Sequence, residues 1–261
     1  MSMPTSLYHR LALGRASSQA LQSYFESHSI RKLQLGTGIN KLEGWFNTDI
    51  TPSSPEVFFL DSTKAFPFED TTFHYIFSEH HFEHITYDEG SQTLRECYRV
   101  LLPGGKIRIA TPNLAALIGL YTPTPNRLQQ HYIRFITDAF LPMARGYTPA
   151  FVINNAFRNW GHQFLYDQAT LQTAMEDAGF VDITPVTPGE STDEHLHNIE
   201  KHGEFIGDEA INKFETMVLE GSVPSLKKNF HQERSLYEIG LEHCLPSIFH
   251  PQSGMGKDEK R

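Results

Sequence analysis

Two glycines and an aspartate are spaced for ligand chemistry in "LQLGTGINKLEGWFNTDI", Leu33–Ile50. Gly36 and Gly38 follow an apolar run, where residues without side chains let the backbone approach a ligand closely or adopt positive φ. Asp49 closes the next apolar run, a position from which a carboxylate can accept both hydroxyls of a ribose. Asp61 closes "EVFFL" and could meet a base edge. A second set is imidazole: His80, His81 and His84 cluster in "SEHHFEHI", and His162 falls in "WGHQFLYD". Such groups titrate near neutral pH and serve as general bases. His80 and His84 have i, i+4 metal spacing, but without HExxH order or a clear third ligand, so no metal site is expected.

The glycine pattern argues against a dinucleotide. The G-x-G-x-x-G fingerprint needs a third glycine and an acid about 20 residues on. Here Lys41 takes the third position and Asp49 comes much sooner. No phosphate-cradling P-loop is present, so the spacing suits a nucleoside without a pyrophosphate.

Strands are expected at Lys32–Gly36, Trp45–Ile50, Glu56–Leu60, Phe73–Glu79 and "KIRIAT". The link between the first two is too short for a long crossover helix. "SSQALQSYFESHS" reads as a leading amphipathic helix capped by Ser17 or Ser18. "TYDEGSQTLRECYRVL" opens with the capping-box pair Thr86 and Glu89, and Pro103-Gly104-Gly105 stops that helix. A helix near Asn113 follows. From Thr122 to Leu165 the composition turns to Pro, Asn, Arg and aromatics, as in an insertion over the sheet. Asp167 caps the next helix and Gly179 ends it. Two more strands, Val181–Val186 and Phe214–Leu219, flank a polar His/Glu-rich excursion and could pair antiparallel at one edge. Alternating strands and helices imply an α/β, doubly wound, mostly parallel sheet with ligands outside the strands' carboxyl ends.

The first block resembles motif I of class I S-adenosylmethionine-dependent methyltransferases, in the type 11-like branch with L-x-L-G-x-G-x(5)-G-W-x-N-x-D. Gly36, Gly38, Gly44, Trp45, Asn47 and Asp49 match it. "FPFEDTTFHYIFSEHHFEHI" is similar to the family's P-F-x-D-x-x-F-D stretch and its S-x-H-x-x-E-H. "LRECYRVLLPGGKIRIATPNL" and "WGHQFLYDQATLQTAMEDAGF" are similar to later blocks. Thr37 and His74 depart from the usual residues. The resemblance implies a seven-stranded Rossmann-like methyltransferase sheet with an antiparallel edge strand and an inserted lid. It also implies S-adenosyl-L-methionine as cofactor: Gly36 and Gly38 at the methionine part, Asp49 at the ribose, Asp61 near the adenine, and Ser78, Glu79 and His80 lining the pocket. His80 and His162 are then the candidate catalytic bases. The stretch Phe151–Asp167, with Phe157, Trp160, Phe164, Asn154, Asn155, Arg158 and Asn159, combines stacking surfaces with amides and suits a sugar or polar metabolite. The alternative is a cofactor-binding partner protein without turnover.

Three parts are expected: an N-terminal helical extension (1–30), a methyltransferase domain (31–223, with a lid at 122–165) and a C-terminal extension (224–261) ending in disorder. A formal net charge of -9 argues against coating nucleic acid. No stretch approaches the roughly 20 apolar residues of a membrane span. Two cysteines, Cys97 and Cys244, make no disulfide framework. With no export segment at the start, the expectation is a cytoplasmic protein acting on a small molecule.

Overall fold

The computed structural model describes residues 18–225. The expectations for Ser17 as a cap and for the stretch 226–261 lie outside the described residues. Seven strands form one sheet: β1 (Lys32–Leu35), β2 (Phe46–Asp49), β3 (Phe58–Phe59), β4 (Phe73–Glu79), β5 (Leu101–Pro112), β6 (Val181–Val186) and β7 (Thr216–Ser222). Their order is β3-β2-β1-β4-β5-β7-β6. β1 pairs parallel with β2 and β4, β2 with β3, and β4 with β5. β7 runs antiparallel to both β5 and β6, so the expected antiparallel strand lies one place in from the edge. Strand order reverses between β1 and β4, which makes the carboxyl ends of these two strands the place to look for a ligand.

Alternation within the strands decides what covers each face. Leu33, Leu35, Ile76, Ile107 and Ile109 are fully buried on one side. They pack against Tyr24 of α1 (18–27), Leu94 and Cys97 of α2 (Tyr87–Val100), and Leu171 and Met175 of α6 (Gln168–Asp177). The other side carries a row that the register sets in line: Asn47, Gln34, Phe77, Arg108 and Glu220. Four of these five are polar because irregular chain covers them, and its backbone groups need partners. Gln34 and Asn47 both accept from Leu42 N, at 3.2 and 3.0 Å. Arg108, fully buried, holds Glu200 and Glu220 at 2.5 Å each and donates to Glu190 O at 2.9 Å. This straps the excursion after β6 onto the sheet, with Leu196 filling the gap between Trp45 and Phe77.

The segment 122–165, read from sequence as an irregular insertion, holds two helices, α4 (Arg127–Phe140) and α5 (Pro149–Arg158). With α3 (Leu114–Gly119) and α8 (Glu209–Glu215) they form a separate apolar cluster around Leu117, Tyr132, Ile136, Val152 and Ile211. The excursion also holds α7 (His202–Ile206). No helix among the described residues is long and apolar enough to cross a membrane.

Candidate functional site

The turn after β1 is built as its glycines require. Gly36 and Gly38 both have positive φ, +63° and +55°. Their surroundings differ. Nothing lies within 4 Å of where a Cβ on Gly38 would stand. At Gly36 that position is 2.5 Å from Nδ1 and 2.6 Å from Cγ of His81. On this side of Gly36 the missing side chain makes room for an imidazole. His81 is anchored through Nε2 to Ser62 Oγ at 2.7 Å. Burial holds it below the ordinary histidine pKa, and it feels the charges of both Asp49 and Asp61. His81 meets Gly36 only in the folded chain, so spacing along the sequence does not reveal the contact.

Asp49 closes β2 as expected, and its Oδ2 accepts from Gly38 N at 2.8 Å, while Oδ1 accepts from Thr51 N at 2.7 Å. Glycine turn and acid are thus one unit. Asp61 Oδ1 accepts from Thr63 N and Thr63 Oγ1. Ser78 sits opposite Leu35 in the register, fully buried. Among the described residues, Ser78 Oγ and the nearby Thr37 Oγ1 have no hydrogen-bond partner. Both oxygens of Glu79 accept from Lys201 N at 3.0 Å, and Oε1 also accepts from His202 N at 2.9 Å. Its carboxylate fixes the start of α7, and burial raises its pKa.

His80 and His162 both line one cavity of ≈ 300 Å³, beside the ends of β4 and β5 and beneath α4 and α5. One wall is ionisable: His80, Glu83, His84, His162, His202 and Glu215. The other is apolar: Leu117, Phe135, Ile136, Trp160, Phe205 and Ile206, with Tyr132 between. Of the aromatics and amides expected to grip a sugar, Trp160 alone is part of this lining. Phe151 and Phe157 are exposed. Phe164 packs on the main core instead. Asn159 donates to Asn155, and Asn154 to Ala150 O.

The ionisable wall is ordered by hydrogen bonds. His80, at φ +47°, places Nδ1 3.0 Å from Glu83 Oε1 and Nε2 3.3 Å from Thr216 Oγ1. Burial works against its charge, but the Glu83 carboxylate prevails and its pKa is raised. Glu83 is completely buried. Burial pushes its pKa up, and the His80 partnership outweighs that and lowers it. Glu83 Oε2 accepts from Thr111 Oγ1 at 3.0 Å. The His202 ring lies against that of His80, with centroids 3.7 Å apart and planes tilted by 31°, and His202 Nε2 lies 3.0 Å from Glu215 Oε1. Both nitrogens of His80 are engaged, which leaves it suited to positioning. His162 differs: Nδ1 lies 2.7 Å from Ala156 O. That bond assigns the proton to Nδ1 and leaves the lone pair on Nε2. Burial lowers the His162 pKa, so it is neutral near pH 7.

Residues 47–109 match the family model described as a methyltransferase domain. No curated relative matches the sequence. Among solved structures, a SAM-dependent methyltransferase from Archaeoglobus fulgidus is 18% identical, with 80% of this chain and 95% of that chain covered and a TM-score of 0.43. Phosphoethanolamine N-methyltransferase 2 of Haemonchus contortus, in complex with S-adenosyl-L-methionine, is 15% identical over 80% of this chain and 53% of that chain, at a TM-score of 0.41. Likenesses at these levels add nothing to the fold already read from the strand order.

Proposed function

Taking the chain as a member of the class I S-adenosylmethionine-dependent methyltransferase family, we propose that it moves a methyl group from S-adenosyl-L-methionine to a small acceptor held in the cavity beneath α4 and α5. The observation that carries this reading is adjacency. The carboxyl ends of neighbouring strands offer a glycine turn after β1, hydrogen-bonded to an acid, and, past β4 and β5, a histidine-walled cavity of ≈ 300 Å³. That volume is at the small end for ligand pockets.

The residues present fit the cofactor. Gly38 leaves open space on the side where a side chain would stand, and the unpartnered Thr37 and Ser78 hydroxyls lie close to the end of β1. Asp49 would hold the ribose hydroxyls, Gly38 the methionine part, and Asp61 the adenine side. When bound, the cofactor supplies a sulfonium methyl that is already activated, so the protein's share is to align the acceptor and manage its proton. His162 Nε2 is the basic atom facing the acceptor, and His80, held by Glu83 and Thr216, positions the wall. The apolar wall favours an acceptor with an apolar body and one polar atom over a saccharide.

The test is production of S-adenosylhomocysteine from S-adenosylmethionine across a panel of aromatic and aliphatic alcohols and amines. Turnover with one of these, reduced at least about 100-fold in His162→Ala, is expected. Tight cofactor binding with no turnover on any acceptor would instead identify a binding partner protein.

A further inference from the structure

We propose that Glu83, His84 and His162 bind a divalent transition-metal ion in the wall of the acceptor cavity. The donor atoms of these three side chains all lie within 4.8 Å of one another. Sequence spacing paired His84 with His80 and found no third ligand. The fold replaces that pair, turning His80 towards Glu83 and Thr216 and bringing His162 in from beyond α5.

Three features of the geometry fit an ion. First, the His84 and His162 rings stand with centroids 5.0 Å apart at 71°. Two imidazoles on one tetrahedral ion, with metal–nitrogen distances of about 2.1 Å, place their centroids about 5 Å apart. Second, the ligands are supported from behind in the manner of metal sites. His162 Nδ1 is fixed by Ala156 O at 2.7 Å, leaving Nε2 as donor. Glu83 is oriented by His80 at 3.0 Å and by Thr111 at 3.0 Å, and each of its oxygens keeps a further lone pair. Third, these residues line the cavity, so the ion would keep open positions towards an acceptor. Donor atoms on one tetrahedral ion stand about 3.4 Å apart, so an ion would draw these donors, now within 4.8 Å of one another, closer together. Two imidazoles and one carboxylate favour Zn²⁺, Co²⁺, Fe²⁺ or Mn²⁺ over Mg²⁺ or Ca²⁺.

Ion binding itself does not depend on the methyl-transfer reading, whereas its service to an acceptor rests on that reading. An ion there gives an acceptor's oxygen a fixed ligand position and polarises it. It also occupies the His162 lone pair, so in the loaded protein the ion replaces imidazole as the group that meets the acceptor.

Full-length protein stripped with chelator and titrated with Co²⁺ provides the test, followed by visible absorption and by competition with Zn²⁺. One equivalent of Co²⁺ with ligand-field bands, displaced by Zn²⁺, is expected. His84→Gln and His162→Gln should each weaken binding at least about tenfold. His131→Gln, at an exposed histidine paired with Asp208, should leave it unchanged. Thermal melts establish that each variant is folded, and if one is not, the other decides. No saturable band, or binding undiminished in the folded variants, overturns the site. S-adenosylhomocysteine binding measured on the stripped protein reports separately on the cofactor reading.

Discussion

Gly36 and Gly38 look equivalent in sequence, and the structure predicts that replacing them has unequal consequences. An alanine at either position carries a left-handed backbone, which costs about 1–2 kcal/mol. At Gly38 that is the whole cost, since the new Cβ meets nothing within 4 Å. At Gly36 the Cβ would lie 2.5–2.8 Å from Nδ1, Cγ and Cβ of the half-buried His81, whose ring Ser62 holds in place. Overpacking of this kind adds about 1–3 kcal/mol. Gly36→Ala should therefore lose about 2–5 kcal/mol and Gly38→Ala about 1–2 kcal/mol. For a domain of this size each kcal/mol moves Tm by about 2–4 °C. Urea denaturation of both variants, of His81→Ala and of the Gly36→Ala/His81→Ala double variant measures the effect. The double variant should recover about 1–3 kcal/mol relative to additivity. Equal losses at the two glycines, with additive behaviour in the double variant, would refute the placement of His81.

The buried His80–Glu83 pair should leave a pH signature. His80 has a raised pKa, so its contribution is full below its ordinary 6.5 and is lost as pH climbs through the raised value. Glu83 has a lowered pKa, so its contribution is full above its ordinary 4.5 and is lost as pH falls through the lowered value. Glu83→Gln should cost about 3–5 kcal/mol between about pH 4.5 and 6.5 and less on either side; a loss constant from pH 4 to 9 would contradict this. Tyr166 is buried with its hydroxyl unpartnered among the described residues and wedged against Gly90 of α2. Tyr166→Phe should be neutral or stabilising by up to about 1 kcal/mol in a urea melt, and a loss beyond that would reveal a hidden partner. Asp167→Ala removes the bond to Thr170 N at 2.8 Å and should cost about 1 kcal/mol of stability, with activity retained, as measured by melting and by turnover.

Local signals were read correctly where the physics is local. Thr86 and Glu89 form the expected capping box, Asp167 caps its helix as expected, and the helix expected near Asn113 begins there with Asn113 as its cap. Failures came where tertiary pairing decides. β5 begins at Leu101, ahead of the Pro-Gly-Gly expected to separate helix from strand, because Leu101 already pairs with Phe73. Phe214, expected in the last strand, belongs to α8 and packs on Tyr132. α4 carried its own signal, an Asn126–Gln129 capping box, inside a segment whose prolines and aromatics suggested irregular chain. His80 and His162 were found as types, but their roles depend on Thr216 and Ala156, partners that spacing alone does not reveal. The same holds for His202, whose backbone N is held by Glu79, and for Glu215, which His202 meets only in the folded chain.

Isothermal titration of the full chain with S-adenosylhomocysteine tests the central claim most directly, because it asks only whether the Gly38–Asp49 unit holds an adenosyl thioether. The account predicts one saturable site, weakened at least about tenfold in Asp49→Ala, whose carboxylate would otherwise take the ribose hydroxyls. No heat and no thermal shift with the wild-type chain, or undiminished binding in Asp49→Ala, would contradict it.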